Sequence, residues 1–409
     1  MNDAKKRLIH SRILLTIGIL VSNRKEYIRK CMESIKPILS AIPSELIAVD
    51  TVGPEATDGS MDIVREYTDL IYPFKWCNDF AAARNVCIEH ARGEWFMYLD
   101  DDEWFDDVSA VIDFFKSGES LKYMSGCYGK KNYMADGTVS DAMEERMIRL
   151  RQDTHFVGKI HESFNEIYLP CKYFSTFVHH MGYYFLDDAA RAAHFDRNMS
   201  LLMDEFAVTG YEPGLCAQIV QEYMGSDRHQ KEGIEFCRKS IEELEKDSGR
   251  LSDPSFQWLL CTTVRYEANN DNYAGVRDLK EKLFSSYPLS TVTKAAITCI
   301  TAGQAAKHRD LDTFFDNLMT YLSCYDAIWA DPDAVITQVC LDFPKFYGQQ
   351  MCYDLLWYGA AFANGIGEYS VASMFWKRFD FEHMDKDTRS KYAGDLNDTI
   401  NGLKGQTVS

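Results

Sequence analysis

Four short apolar runs, separated by stretches with helical spacing, fill the first hundred residues and limit the fold more than any other feature. "RILLTIGILVS" (12–22) is continuous enough for a strand buried on both faces. After it Tyr27, Ile28, Cys31, Ile35, Ile38 and Leu39 recur at the three- and four-residue spacing of a helix. "ELIAVD", "LIYPF" and "WFMYL" supply three more strands, with helices expected over "SMDIVREYTD" and "DFAAARNVCIEHA". This alternation predicts an α/β fold with a doubly wound sheet. Such sheets hold ligands beyond the carboxyl ends of their strands, where Asp50 and Asp100 fall.

The fourth run is followed at once by Asp100, Asp101, Asp102 and Glu103. Neighbouring carboxylates repel one another, so a cation is expected among them. Asp100 and Asp102 share one side of an extended chain and Asp101 takes the other. Carboxylate oxygens combined with substrate phosphates suit Mn²⁺ or Mg²⁺. The competing reading is an acidic helix start over "DDDEWFDDVSAVIDFF".

Beyond Asp107 the chain breaks into β-rich pieces, "MIRLRQD", "HFVGKIHE" and "YFSTFVHHMGYYF", with an Asp-Gly turn in "MADGTV". They are expected as antiparallel strands closing one edge of the site. From about residue 186 the texture is helical, with similar units beginning near residues 229, 270 and 355. Tetratricopeptide-like helix pairs are expected, with a plain bundle as the alternative. The expected domains are therefore 1–185 and 186–409.

Net charge is −18, which disfavours nucleic acid or an anionic membrane as partner. Residues 1–185 hold 22 Lys/Arg against 28 Asp/Glu, a net of −6, which leaves −12 for the rest. The longest apolar run near the start, Ile13 to Val21, is too short to cross a membrane. Twelve cysteines are scattered without a C-x-x-C pair, which fits free thiols in a reducing cytoplasm.

The segments "LTIGILVSNRKEYIRKCMESI", "AVDTVGPEATDGS" and "WCNDFAAARNVCIEHARGEWFMYLDDDEWF" together resemble the family-2 glycosyltransferases, nucleotide-sugar enzymes with the GT-A fold. "GKIHESF" and "VHHMGY" resemble later segments of a bacterial branch with a helical repeat tail, and the chain is loosely similar to bacterial peptide S-glycosyltransferases. The resemblance implies that Ser22, Asn23 and Asp50 line the nucleotide pocket, with Arg84 reaching phosphate or base. It implies that Asp100 faces ribose or metal, that Asp102 ligates the metal directly, and that His180 sits beside metal or diphosphate. Glu162 and His161 are the candidate catalytic residues, with Glu162 as general base; its rival role is to orient an acceptor or to anchor Arg149 or Lys159 in a salt bridge. Residues 53–58, Gly-Pro-Glu-Ala-Thr-Asp, depart from the family's usual Gly-Ser-Thr-Asp-like stretch.

The expected function is metal-dependent, inverting transfer from a nucleotide-diphospho-sugar, taken as a uridine diphosphate sugar, to a glycan or peptide. A homo-oligomer is allowed. The alternative is a repeat scaffold on an inactive transferase domain. A nucleotidyltransferase is disfavoured, because a glycine-rich basic loop after the first strand is missing: Ser22-Asn23-Arg24-Lys25 stands there.

Overall fold

The computed structural model describes residues 13–53, 58–185, 187–332, 334, 338, 343–382, 384 and 386–406. Two compact units divide the chain, the first ending at Gly210 and the second beginning at Tyr211. The boundary expected near residue 185 thus falls one helix early.

The first unit is built on an eight-stranded mixed sheet. The four expected runs form β1 (Leu15–Val21), β2 (Ser44–Asp50), β3 (Ile71–Pro73) and β4 (Trp95–Asp100). These pair in parallel in the order β3-β2-β1-β4. The intervening helices are α1 (Lys25–Ala41), α2 (Ser60–Val64) and α3 (Phe80–His90). Strand alternation sorts the core into two layers. Trp95, Met97 and Leu99 join Ile28, Met32 and Ile35 of α1 on one face. Phe96 and Tyr98 join Ala81, Ala83 and Cys87 of α3 on the other. Asp100, next in the Phe96–Tyr98 series, therefore faces α3.

After β4, two residues lead into β5 (Glu103–Phe105), and α4 (Ser109–Lys116) follows. The acids thus lie on a turn between strands and not at a helix start. β6 (Ser125–Tyr133) and β7 (Val139–Arg149) form a hairpin through Gly137, whose φ of 85° suits the expected Asp-Gly turn. β7 runs antiparallel to β4. β10 (Cys171–His180), however, runs parallel to β6 and antiparallel to β5, so the expectation of antiparallel pieces holds only in part. β5 is the outer strand on that side, separated from β4 in the sheet by β7, β6 and β10. Three Cα steps from Asp100 to Glu103 span at most about 11 Å. The sheet must therefore curl until β10 and β5 lie beside the mouth of β4. A separate ribbon, β8 (Phe156–Val157) and β9 (Ser163–Phe164), seats Phe156 and Phe164 on Tyr98. Helix α5 (Asp188–Thr209) ends this unit.

The second unit is helical: α6 (Pro213–Gly225), α7 (Gln230–Leu244), α8 (Pro254–Asn269), α9 (Tyr273–Ser286), α10 (Thr291–His308), α11 (Leu311–Ala330), α12 (Gln349–Gly365), α13 (Tyr369–Trp376) and α14 (Lys386–Gln406). Their starts are legible as caps. Asp253, Asn272, Ser290 and Asp310 each accept a backbone N–H of the helix they precede. Sequential neighbours pack as pairs, α6 with α7, α8 with α9 and α10 with α11. No described helix is long and apolar enough to cross a membrane.

Candidate active site

Asp100 ends β4 on the face covered by α3, and two buried guanidiniums meet it there. Arg84, only 4% exposed, donates through Nη2 to Oδ1 of Asp100 and through Nε to Oε1 of Glu162, the latter at 2.5 Å. Arg146 of β7 lies 3.7 Å from Oδ2 of Asp100 and also binds Glu103 (2.9 Å) and Glu144 (2.6 Å). Both guanidinium carbons stand over the Tyr98 ring, at 4.4 and 4.5 Å from its centroid. Burial raises the Asp100 pKa, but Arg84 and then Arg146 overcome it and hold this carboxyl well below the usual range. The surface-arginine reading of Arg84 is thus excluded. Its guanidinium is aimed at protein acids, and any reach to a phosphate would have to be shared with them.

Asp101, on the turn that follows β4, faces the end of β1. It accepts from both N–H (2.6 Å) and Oγ–H (2.7 Å) of Ser22, joining the end of β1 to the acid turn. Burial pushes its pKa up to about 6 against those bonds. Ser22, expected to line a nucleotide pocket, therefore spends its hydroxyl proton on Asp101. Asn23 accepts from the Asp58 N–H at 3.1 Å. Asp50 uses Oδ1 to hold the N–H groups of Val52 and Gly53, both at 3.0 Å. Residues 54–57, where the family stretch departs, lie outside the described residues.

Asp102 and His180 converge from β4's mouth and the end of β10. Oδ1 of Asp102 lies 3.7 Å from Nε2 of His180, and Arg24 reaches Oδ2 at 3.3 Å. Nδ1 of His180 donates to Oδ1 of Asn132 at 2.6 Å, which leaves Nε2 as the lone-pair atom facing Asp102. Burial, with Lys130 adding to it, lowers the imidazole pKa and keeps the ring neutral at pH 7. Burial raises Asp102 to about 6, with His180 opposing the rise. Gly182 completes the pocket: a Cβ there would stand 2.5 Å from Nε2 of His180 and 3.5 Å from Oδ2 of Asp102. A side chain would fill the space between the two ligand atoms. His179 faces the opposite side, stacked on Trp104 and bonded to Tyr133 Oη at 2.7 Å.

Asp100, Glu103 and His180 also bring one ligand atom each within 4.8 Å of one another. Glu103 is the poorer donor of that set. It is fully buried, both its oxygens bind Arg146, and Oε2 also accepts the Asp100 N–H. Burial pushes its pKa up to about 7, with Arg146 countering. Asp102 with His180 fits a hard divalent ion better, with Asp100 at its back.

Glu162 arrives on the loop between β8 and β9, where His161 has a φ of 52° and Gly158 one of 88°. That turn delivers Glu162 to Arg84. The salt bridge of Glu162 is with Arg84 and not with Arg149, which pairs with Glu94 at 2.8 Å. Sequence reasoning missed Arg24, Asn132, Arg146 and Gly182. Arg24 was visible beside Ser22 and Asn23; Asn132 and Arg146 carried no local signal.

A curled, doubly wound mixed sheet with acids and a neutral imidazole gathered at the mouth of its fourth strand is a GT-A-type domain. Residues 16–157, within the first unit, match the family model described as Glycosyl transferase family 2. The chain is similar to the glycosyltransferase SunS of Bacillus subtilis, 26% identical over 298 residues, covering 67% of this chain and 63% of SunS. It thus spans less than two thirds of that relative's length. The putative glycosyltransferase EpsH of Bacillus subtilis is 33% identical over 96 residues, 22% of this chain and 27% of EpsH. Among solved structures, S. aureus TarS 1-349 aligns at 12% identity and a TM-score of 0.31, covering 78% of this chain and 92% of that one.

Proposed function

We propose that the first unit transfers a sugar from a nucleotide-diphospho-sugar, a uridine diphosphate sugar, to a peptide or glycan acceptor by inverting single displacement. The observation that carries this is the Asp102–His180 pair, held open by Gly182 at a strand mouth of a family-2 domain. Asp102 and His180, backed by Asp100, would hold Mn²⁺ or Mg²⁺, which supplies charge neutralisation for the departing diphosphate.

The chain's own groups account for the remaining work. Asp50, with Oδ1 fixed by two N–H groups, offers Oδ2 to base or ribose; Asn23 and Ser22 border the same strand ends. An acceptor hydroxyl or thiol attacks the sugar carbon as the bond to diphosphate breaks, and Glu162 takes the acceptor proton. Arg84 holds Oε1 of Glu162, leaving Oε2 for that proton. The same ion pair favours a second reading, in which Glu162 orients Arg84 and another group is the base. His161 shapes the turn that presents Glu162. The helical unit selects the acceptor.

Nucleotide sugars incubated with the full chain, with Mn²⁺ or with EDTA, test the proposal. Metal-dependent release of nucleoside diphosphate from one donor, lost in Asp102→Ala, supports it. No turnover or binding with any donor favours the inactive scaffold.

A further inference from the structure

β7 reaches well past the strand it shares with the parallel half of the sheet. Its pairing with β4 covers Arg149, Ile148 and Met147 only, while β6 accompanies it as far as Val139. Residues 139–145 therefore have a sheet neighbour on one side alone among the described residues. The Glu145 carbonyl marks the other side, because Oη of Tyr98 on β4 reaches it at 3.4 Å. In an antiparallel ladder the N–H and C=O of one residue point the same way, and the direction alternates along the strand. Met143, Asp141 and Val139 thus turn their backbone groups to the open edge, and Glu144, Ala142 and Ser140 turn theirs to β6. Among the described residues, no turn, loop or cap supplies a backbone bond to that edge.

An open edge is a template for another chain, and proteins commonly blunt it with lysine or proline. From Asn132 to Glu145 there is no Lys, Arg or Pro. Val139 and Met143 are 48% and 44% exposed. Asp141, between them, is exposed and makes no ion pair among the described residues. These three share one face of the strand, so the edge displays apolar, acidic and apolar groups at every second position. It also leads into the candidate site. Arg146, which meets Asp100, lies three residues on from Met143, about 10 Å at ~3.4 Å per residue.

A row of main-chain donors and acceptors recognises another main chain, which a sugar ring does not offer. We propose that this edge of β7 seats the acceptor polypeptide as an added β-strand. A Lys or Arg of the acceptor then faces Asp141, apolar residues lie against Val139 and Met143, and a side chain three or four residues further along reaches the sugar. The proposal rests on sugar transfer as read above, and it names a peptide and not a glycan as the acceptor. The helical unit selects the polypeptide, and β7 aligns the segment to be modified.

The probe is the peptide acetyl-Cys-Ser-Ser-Val-Thr-Lys-Thr-Val-Ser-Ser-Cys-amide, kept reduced, whose two ends serve either strand direction. Bound to the full chain, it should slow exchange of the Asp141 and Met143 amide hydrogens at least ~10-fold, while that of Ala142, already bonded to β6, changes little. Met143→Pro removes one edge N–H without touching the β6 ladder. It should bind the peptide at least ~10-fold more weakly and hydrolyse donor as the wild type does, whereas Met143→Val should bind normally. Asp141→Lys should weaken binding several-fold, and glutamate in place of the peptide's lysine should restore it. Unchanged exchange at Asp141 and Met143, or equal binding in Met143→Pro and Met143→Val, would overturn the proposal. So would transfer to an oligosaccharide with the peptide left unmodified. Slowed exchange in a wild type that hydrolyses no nucleotide sugar would sink sugar transfer and leave the strand dock standing.

Discussion

Nε of Arg84 donates to Oε1 of Glu162 at 2.5 Å, joining groups 78 positions apart in the chain. The bond separates two roles for Glu162, because a glutamine keeps an oxygen for Arg84 and loses the base. In Glu162→Gln, kcat onto the acceptor should fall ~10²–10⁴-fold with donor Kd nearly unchanged. Near-wild-type turnover would assign Glu162 to orienting Arg84.

Nucleotide affinity should depend on the metal through Asp102. Calorimetric titration of uridine diphosphate with Mn²⁺ and again with EDTA should differ in the wild type and agree in Asp102→Ala. Equal wild-type affinities in both conditions would remove the metal from the site.

Gly182→Ala places a methyl 2.5 Å from Nε2 of His180. Metal-dependent nucleotide binding should fall at least ~10-fold, because relieving the clash moves the His180 ring from Asp102. Asn132→Leu should produce a milder form of the same defect by releasing the ring's tautomer.

Arg146 carries the buried acids behind Asp100. Arg146→Met leaves Glu103 and Glu144 without their guanidinium, and loss of one partner of such buried pairs costs about 3–5 kcal/mol. Denaturant unfolding at pH 7 should show a loss of that order. A much smaller change would mean that the acids take up protons instead.

Glu145 gives a pH test away from the metal pocket. Burial, with a contribution from Cys171, pushes its pKa up to about 8, and Oε1 has no hydrogen-bond partner. An acid raised in the folded state stabilises most below its unfolded pKa of about 4.5, and that stability is lost as pH rises towards 8. Glu145→Gln should therefore gain on the wild type by up to ~1.4 kcal/mol per pH unit across that window. Parallel Tm curves from pH 5 to 8 would contradict the shift.

The four parallel strands, the helices between them and the acid turn were legible because each depends on local pattern. Apolar runs such as Trp95–Leu99 bury themselves, and period-two alternation already separated Asp101 from Asp100 and Asp102. Helix caps such as Asp253 and Asp310 were equally local. The reversal of β10 was not legible, since a strand's direction against β6 depends on the path of the chain between them.

By itself, then, the sequence determined the alternating order of elements, the helical second half and the carboxylates at a strand mouth. Spacing along a chain specifies which face a side chain takes, and that was enough for those features. Only the tertiary structure decided who meets the acids. The curl that lays β5 and β10 across β4 brings His180 to Asp102, and the β8–β9 turn brings Glu162 to Arg84. Arg146, inconspicuous in its strand, becomes the buried counter-charge of three carboxylates. Electrostatic partners over such separations are fixed by packing of the whole sheet, and no local pattern encodes that distance.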